Sequence, residues 1–145
     1  MIQLTCPHCQ TINRVPPQRF SEHPTCGACK KPLLAGVHAL DGGSIDAVLQ
    51  QSALPVIIDF WAPWCGPCRS FAPTFAAAAQ KYGGQLVFAK VDTEAEQTLG
   101  TRFNIRSIPT LGVFRGGREL GRVAGALLPA QLEALIGDVL KQATV

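Results

Sequence analysis

Six cysteines stand as three pairs, Cys6/Cys9, Cys26/Cys29 and Cys65/Cys68, each spaced C-x-x-C. That spacing serves two chemistries. Two thiols about one helical turn apart can close and reopen a disulfide, with their Cα atoms roughly 5–6 Å apart. Two such pairs together can instead present four thiolates to one metal ion. The chain sorts these uses along its length. Cys9 and Cys26 are separated by 16 residues, so the first two pairs read C-x2-C-x16-C-x2-C, a structural zinc spacing. Each pair can form a tight knuckle, and four protein ligands leave no open position for catalysis. Two disulfides or an iron–sulfur centre are the competing uses. His8 and His23 lie nearby and are surplus to a four-cysteine set.

The third pair sits in Trp64-Cys65-Gly66-Pro67-Cys68, between an apolar strand pattern and a helical one. A cysteine at a helix start meets free backbone N–H groups and the positive end of the helix dipole, which stabilise a thiolate. Gly66-Pro67 suits a first turn, where proline forfeits no helix hydrogen bond. Cys65 is the expected exposed nucleophile, and Cys68, one turn deeper, the thiol that resolves a mixed disulfide by attacking Cys65. A lone C-x-x-C would leave a buried structural pair, or half of a metal site, equally open. The strand before it, the helix after it and the flanking aromatics argue for redox chemistry.

The elements that must position these residues can be read from periodicity. Residues 1–35 are rich in Cys, Pro and polar residues, with no apolar pattern long enough for a helix. From residue 36 onward short apolar runs alternate with helical patterns, so the expected units are 1–35 and 36–145. Val37–Leu40 reads as a short strand, and Ser44 as the cap of a helix reaching Gln51. Pro55–Trp61 is a buried central strand, and a helix follows from Cys65 to Tyr82 with Pro73 kinking it. Leu86–Val91 is the next strand. Thr93 and Glu96 have capping-box spacing for a helix over about Glu94–Phe103. Thr110–Phe114 and Glu119–Ala124 flank Gly116-Gly117 as a hairpin. A final amphipathic helix runs from Pro129 to Lys141. The order predicts an α/β fold, a mixed sheet with helices on both faces.

Composition excludes some functions. At 145 residues with 47% hydrophobic and 16% charged, the chain suits one domain with a core and a small appendage. No run of about 18 apolar residues spans a membrane. The start, Met1–Cys6, lacks the basic and apolar pattern of a secretory signal, so the expectation is cytoplasmic. Residues 1–35 hold four basic residues (Arg14, Arg19, Lys30, Lys31) against Glu22, while the remaining nine basic and nine acidic residues cancel. A basic appendage can signal nucleic acid. Four thiolates around one divalent ion carry two negative charges, however, and offset most of this excess. No nucleic-acid partner is therefore expected.

Residues 37–142 resemble thioredoxin along their length, and Trp61-Ala62-Pro63-Trp64-Cys65-Gly66-Pro67-Cys68 closely resembles that family's active-site motif. The resemblance implies the thioredoxin fold and protein-disulfide reduction. It also implies re-reduction by an NADPH-dependent thioredoxin reductase, and disulfide-containing cytoplasmic proteins as substrates. The family's cysteine pKa (about 7) and potential (about −270 mV) come with it. Asp59 matches the family's buried acid, a proton acceptor for Cys68, and Lys90 the lysine that tunes it. Pro109 matches its cis-proline. Trp64, Gly66, Pro67, Ile108, Pro109, Gly125 and Ala126 match the surface that receives an extended substrate. A backbone-bonded Asp59 and a trans Pro109 are the bland alternatives. Pro63 departs from a commonly acidic position, and Arg69 replaces a frequent lysine while keeping its charge.

With the four-cysteine extension, the chain is similar to the zinc-containing, N-terminally extended thioredoxins of bacteria. That type implies one structural Zn2+, no organic cofactor, and roles in redox homeostasis and oxidative-stress defence; nothing in the sequence demands more than a monomer. Two rival functions remain to be weighed. A zinc-ribbon binding module using the domain as scaffold would need none of Cys65, Cys68, Asp59 or Pro109. A disulfide-forming oxidant is opposed by the Gly66-Pro67 insert and the missing export signal.

Overall fold

The computed structural model describes residues 1–143; residues 144 and 145, the end of the expected 36–145 unit, lie outside them. The chain runs β1 (Ile2–Thr5), β2 (Ile12–Val15), a 3-10 helix (Pro17–Glu22), β3 (Val37–Ala39), α1 (Ile45–Gln51), β4 (Val56–Trp61) and α2 (Gly66–Tyr82). It continues through β5 (Val87–Asp92), α3 (Gln97–Arg102), β6 (Thr110–Arg115), β7 (Arg118–Ala124) and α4 (Pro129–Ala143). Five strands form one mixed sheet in the order β3-β5-β4-β6-β7. β3, β5 and β4 are parallel, while β6 and β7 run antiparallel to their neighbours.

Alternation along β4 divides the core. Ile57 faces α2 and α4, joining Phe71, Phe75, Leu111, Leu132 and Ile136. Val56, Ile58 and Phe60 face the other way, toward Ile45, Val48 and Leu49 of α1 and Leu99 of α3. Helices therefore cover both faces, as the element order requires. Gly116 and Gly117, with φ of 60° and 82°, make the β6–β7 turn that side-chained residues resist.

The first 35 residues are not a separate bead. β1 and β2 pair as a small antiparallel hairpin, two strands absent from the sequence reading because, at four residues each, they are too short to stand out: β1 alternates strictly, but β2 does not. Ile2, Leu4, Val15, Phe20, Leu33 and Leu34 are buried in the same cluster as α1 and the β4 face. Phe20 is wholly buried. The Ala53 N–H donates to Pro17 O at 3.3 Å, and buried His38 of β3 meets Leu33 O through Nε2 at 2.7 Å. The four-cysteine segment and the redox domain thus share one hydrophobic core.

Two expected caps are replaced. Ser44 precedes α1, but its hydroxyl donates to Asp41 Oδ1 rather than accepting a helix N–H. The α3 helix starts at Gln97, not Glu94, because the groups of the expected capping box are used elsewhere. The Thr93 hydroxyl donates to Trp61 O at 3.0 Å, and Glu96 accepts from the Gly42 N–H at 2.7 Å. Asp92 takes the Glu94 and Ala95 N–H groups, shaping a turn where a helix was expected.

Candidate functional site

β4 delivers its last residue, Trp61, to a short turn, and Cys65 caps the helix that follows. Extended backbone at Cys65 (φ −83°, ψ 114°) lets its Sγ accept the Cys68 N–H at 3.2 Å. This is the free helix-start donor that favours sulfur carrying negative charge. Cys65 and Cys68 form a disulfide with Cα atoms 5.2 Å apart. Gly66 and Pro67 occupy the first exposed turn between them.

Cys65 is less open than expected. It is 5% exposed against 2% for Cys68, because Trp61, Ala62 and Ile108 pack around the bridge. The Ile108 carbonyl lies 3.8 Å from Cys65 Sγ, presented by a cis Ile108–Pro109 bond. Pro109 O in turn accepts the Gly125 N–H at 2.8 Å. At Gly125, φ is 102° and no protein atom lies within 4 Å of where a Cβ would stand. Ala126 is exposed beside it, and Trp64 is 66% exposed on the other side of the motif. The flanks form an accessible apolar rim around a covered disulfide.

Asp59 lies on the α2-facing side of β4, in register with Lys90 of β5 and Leu111 of β6. Its carboxyl is buried, and Oδ1 has no hydrogen-bond partner among the described residues. Burial pushes Asp59 up to about 7, and the charge of Lys90 acts in the opposite direction. The backbone-bonded alternative for Asp59 is therefore not what Oδ1 shows. The Lys90 ammonium sits 5.4 Å from the centre of the Trp61 ring. Lys90 also lines a cleft of about 550 Å³ whose other walls include Pro7 and His8 of the first knuckle and Ala76 and Gln80 of α2.

The remaining four cysteines converge. Sγ atoms of Cys6, Cys9, Cys26 and Cys29 all lie within 4.8 Å of one another, with Cys6–Cys29 and Cys9–Cys26 each at 3.6 Å. A tetrahedron with Zn–S bonds of about 2.3 Å has edges of roughly 3.8 Å, so the cluster fits one zinc ion. The two knuckles repeat one geometry. His8 N–H donates to Cys6 Sγ, and Ala28 N–H donates to Cys26 Sγ. Gln10 and Lys30 then turn the chain with φ of 67°. N–H donors from Cys29 and the Asn13 amide hold the Cys26 thiol down to about 6, while burial and the neighbouring thiols push Cys29 up to about 11. His8 and His23 stay exposed and outside the cluster.

Asn13 adds a support that the cysteine spacing does not mark. Its amide donates to Cys26 Sγ while its carbonyl oxygen accepts the Gly27 N–H at 2.9 Å, tying β2 to the second knuckle. No spacing rule marks such a residue.

A helix-start dithiol facing a cis-proline segment, on a sheet of this order, defines a thiol–disulfide oxidoreductase. Comparison with known proteins agrees. The "Thioredoxin" family model matches residues 36–138, and the "Thioredoxin 2, N-terminal" model matches residues 5–31. The chain is similar to "Thioredoxin C-3" of Corynebacterium nephridii, 41% identical over 140 residues and 96% of each chain. It is 47% identical to "Thioredoxin 1" of Nostoc sp. over 77 residues, 53% of this chain and 72% of that one. The solved thioredoxin of Malassezia sympodialis superposes with a TM-score of 0.64 at 30% identity, covering 70% of this chain and 89% of that one. The chain belongs to the thioredoxin family, and it is a disulfide reductase whose Cys65–Cys68 pair fits the active site. No described helix is long and apolar enough to cross a membrane.

Proposed function

We propose that the chain reduces protein disulfides by a two-step thiol exchange centred on Cys65. The Cys65 thiolate attacks one sulfur of the substrate disulfide and releases the other as a thiolate. Asp59 then takes the Cys68 proton, and the Cys68 thiolate attacks Cys65 Sγ. That step expels the second substrate sulfur and leaves the Cys65–Cys68 disulfide, with two electrons transferred. A carboxyl with its pKa near 7 is matched to this task at neutral pH. Lys90 tunes it. Trp64, Gly66, Pro67, Ile108, Pro109, Gly125 and Ala126 receive the substrate chain.

The observation that carries this reading is the Cys65 sulfur held between a helix-start N–H and the Ile108 carbonyl. The cycle closes when an NADPH-dependent thioredoxin reductase returns two electrons. Disulfide-containing cytoplasmic proteins are the substrates, in redox homeostasis and oxidative-stress defence. The chain works as a monomer of two units, 1–35 and 36–145. Cys6, Cys9, Cys26 and Cys29 hold one structural Zn2+, supported by the sulfur spacing and the matching family model. When bound, the ion cross-links the two knuckles.

The deciding experiment is the reduction potential of the Cys65–Cys68 couple in zinc-loaded protein, read by alkylation in dithiothreitol or glutathione buffers. A value near the family's (about −270 mV) is expected, and one near about −120 mV would mark an oxidant instead.

A further inference from the structure

The segment that presents Ile108 and Pro109 to the redox pair begins where α3 ends, and one arginine fastens that beginning. Arg122 of β7 donates through Nη2 to Phe103 O at 2.8 Å and through Nη1 to Asn104 O at 3.2 Å. The same guanidinium is gripped by Glu119, with Nε to Oε2 at 2.9 Å and Nη2 to Oε1 at 2.7 Å. Four bonds of a rigid planar fork therefore hold two carbonyls and one carboxylate together. The pair is partly covered, with side chains 36% and 33% exposed.

This grip depends on an irregularity in the sheet. Residues three apart on a regular strand point to opposite faces. Here Gly112 pairs with Arg122 and Val113 with Gly121, but Phe114 pairs with Glu119. Leu120 is the extra residue of a β-bulge, which brings Glu119 and Arg122 to one face of the sheet. That face carries Phe114, whose ring packs on Phe103 with centroids 5.7 Å apart. The bulge thus aims the guanidinium at the end of α3.

The far end of the segment is tied to the same strand's exit, where the Gly125 N–H donates to Pro109 O. Between the two ties the bonds are local: Ile105 N–H to Gly100 O at 2.9 Å, Arg106 to Asn104 and Thr110 to Ser107. Asn104 itself turns through the left-handed region at φ 55°. Releasing its carbonyl loosens the hinge from which residues 106–108 project, leaving the bonds of Asn104 N–H to Thr101 O and Ile105 N–H to Gly100 O to hold it.

We infer that Arg122, braced by Glu119 across the Leu120 bulge, is a positioning residue for substrate: it sets where the Ile108–Pro109 segment meets a bound polypeptide. It touches neither the substrate nor the two sulfurs. The inference rests on the disulfide-reductase reading. Its signature is selective. A protein disulfide must lie along the Ile108 backbone, whereas a small aromatic disulfide needs only the Cys65 sulfur.

The full, zinc-loaded chain and its Arg122→Ala, Arg122→Lys and Glu119→Gln variants are reduced and mixed with excess insulin or with dithiobis(nitrobenzoate). Second-order rate constants are measured for each disulfide, with the Cys65–Cys68 potential as a second readout. Arg122→Ala is expected to slow insulin reduction about tenfold, as loss of orientation does, with the small disulfide affected less than about twofold and the potential unmoved. Lysine, with one point charge in place of a fork, restores only part of the loss. Should the alanine variant not fold, Glu119→Gln, which loosens the brace and keeps the guanidinium, carries the test with a smaller, insulin-selective fall. Wild-type insulin rates in the variants overturn the inference. So does an equal fall with both disulfides, which marks damage to the thiol chemistry. A wild-type chain that reduced neither would overturn the reductase reading, and the inference with it.

Discussion

Asp59 and Lys90 are register partners on neighbouring parallel strands, the carboxyl buried within the sheet and the lysine half-exposed at the cleft beside the first cysteine knuckle. The pair sets the acid's charge state. Burial raises the Asp59 pKa from 3.8 to about 7, so the folded chain binds this proton more tightly than the unfolded chain. Its contribution to stability is full below about pH 4 and is lost as pH rises through about 7. Asp59→Asn removes the ionising group. Denaturant melts should then show the variant more stable than wild type at pH 8, by up to about 4 kcal/mol, and little different at pH 4. Equal shifts at both values would refute a buried, titrating Asp59.

Lys90→Met should push the same acid further up from its wild-type position. Lys90 is the charge that lowers the Asp59 pKa, so its loss raises it further. The acid limb of the pH–rate profile for insulin reduction should shift upward, with the rate above the new pKa little changed. A limb that stays in place would remove Asp59 from the proton step.

The two cysteines should separate by function. Cys65→Ser has no attacking sulfur and should lose all disulfide reduction. Cys68→Ser can still attack but cannot resolve, so it should accumulate a mixed disulfide with substrate. Mass spectrometry would show the adduct, and dithiothreitol would release it. Trapping through position 68 in place of position 65 would reverse the assigned roles.

The shared core predicts that damage in the first 35 residues is felt throughout. Both tryptophans, Trp61 and Trp64, lie in the second unit, so their fluorescence reports only there. Phe20→Ala empties a fully buried site and should cost about 3–5 kcal/mol. Cys26→Ser, or stripping zinc with a chelator, should lower the same fluorescence transition by loosening the knuckles. A tryptophan transition unmoved by all three would mean that the units unfold separately.

Local spacing determined much of this protein. Three C-x-x-C pairs, an apolar strand before one of them and a run of sixteen residues between the others suffice to separate redox from metal chemistry, because each depends on neighbours a few residues apart. The strand and helix order is legible for the same reason: β4 and β6 are near-continuous apolar runs of strand length, and α4 carries a helical stripe. The cis-proline and the buried acid came with the family resemblance; in the structure the Ile108–Pro109 bond is cis and Asp59 is buried.

Folding alone decided the rest. Thr93 and Glu96 have the spacing of a capping box, but Trp61 O and the Gly42 N–H, remote in sequence, take their polar groups, and α3 starts late. Alternation puts Glu119 and Arg122 on opposite faces, and the Leu120 bulge brings them together. A helix-start position would expose Cys65, but Ile108, forty-three residues away, covers it. Phe20 reads as an isolated aromatic until Ile45, Val48 and Leu49 close over it. Each depends on which distant backbone or side chain arrives first at a polar group or an apolar surface. That competition is settled by chain closure and burial, and no short-range pattern encodes its outcome.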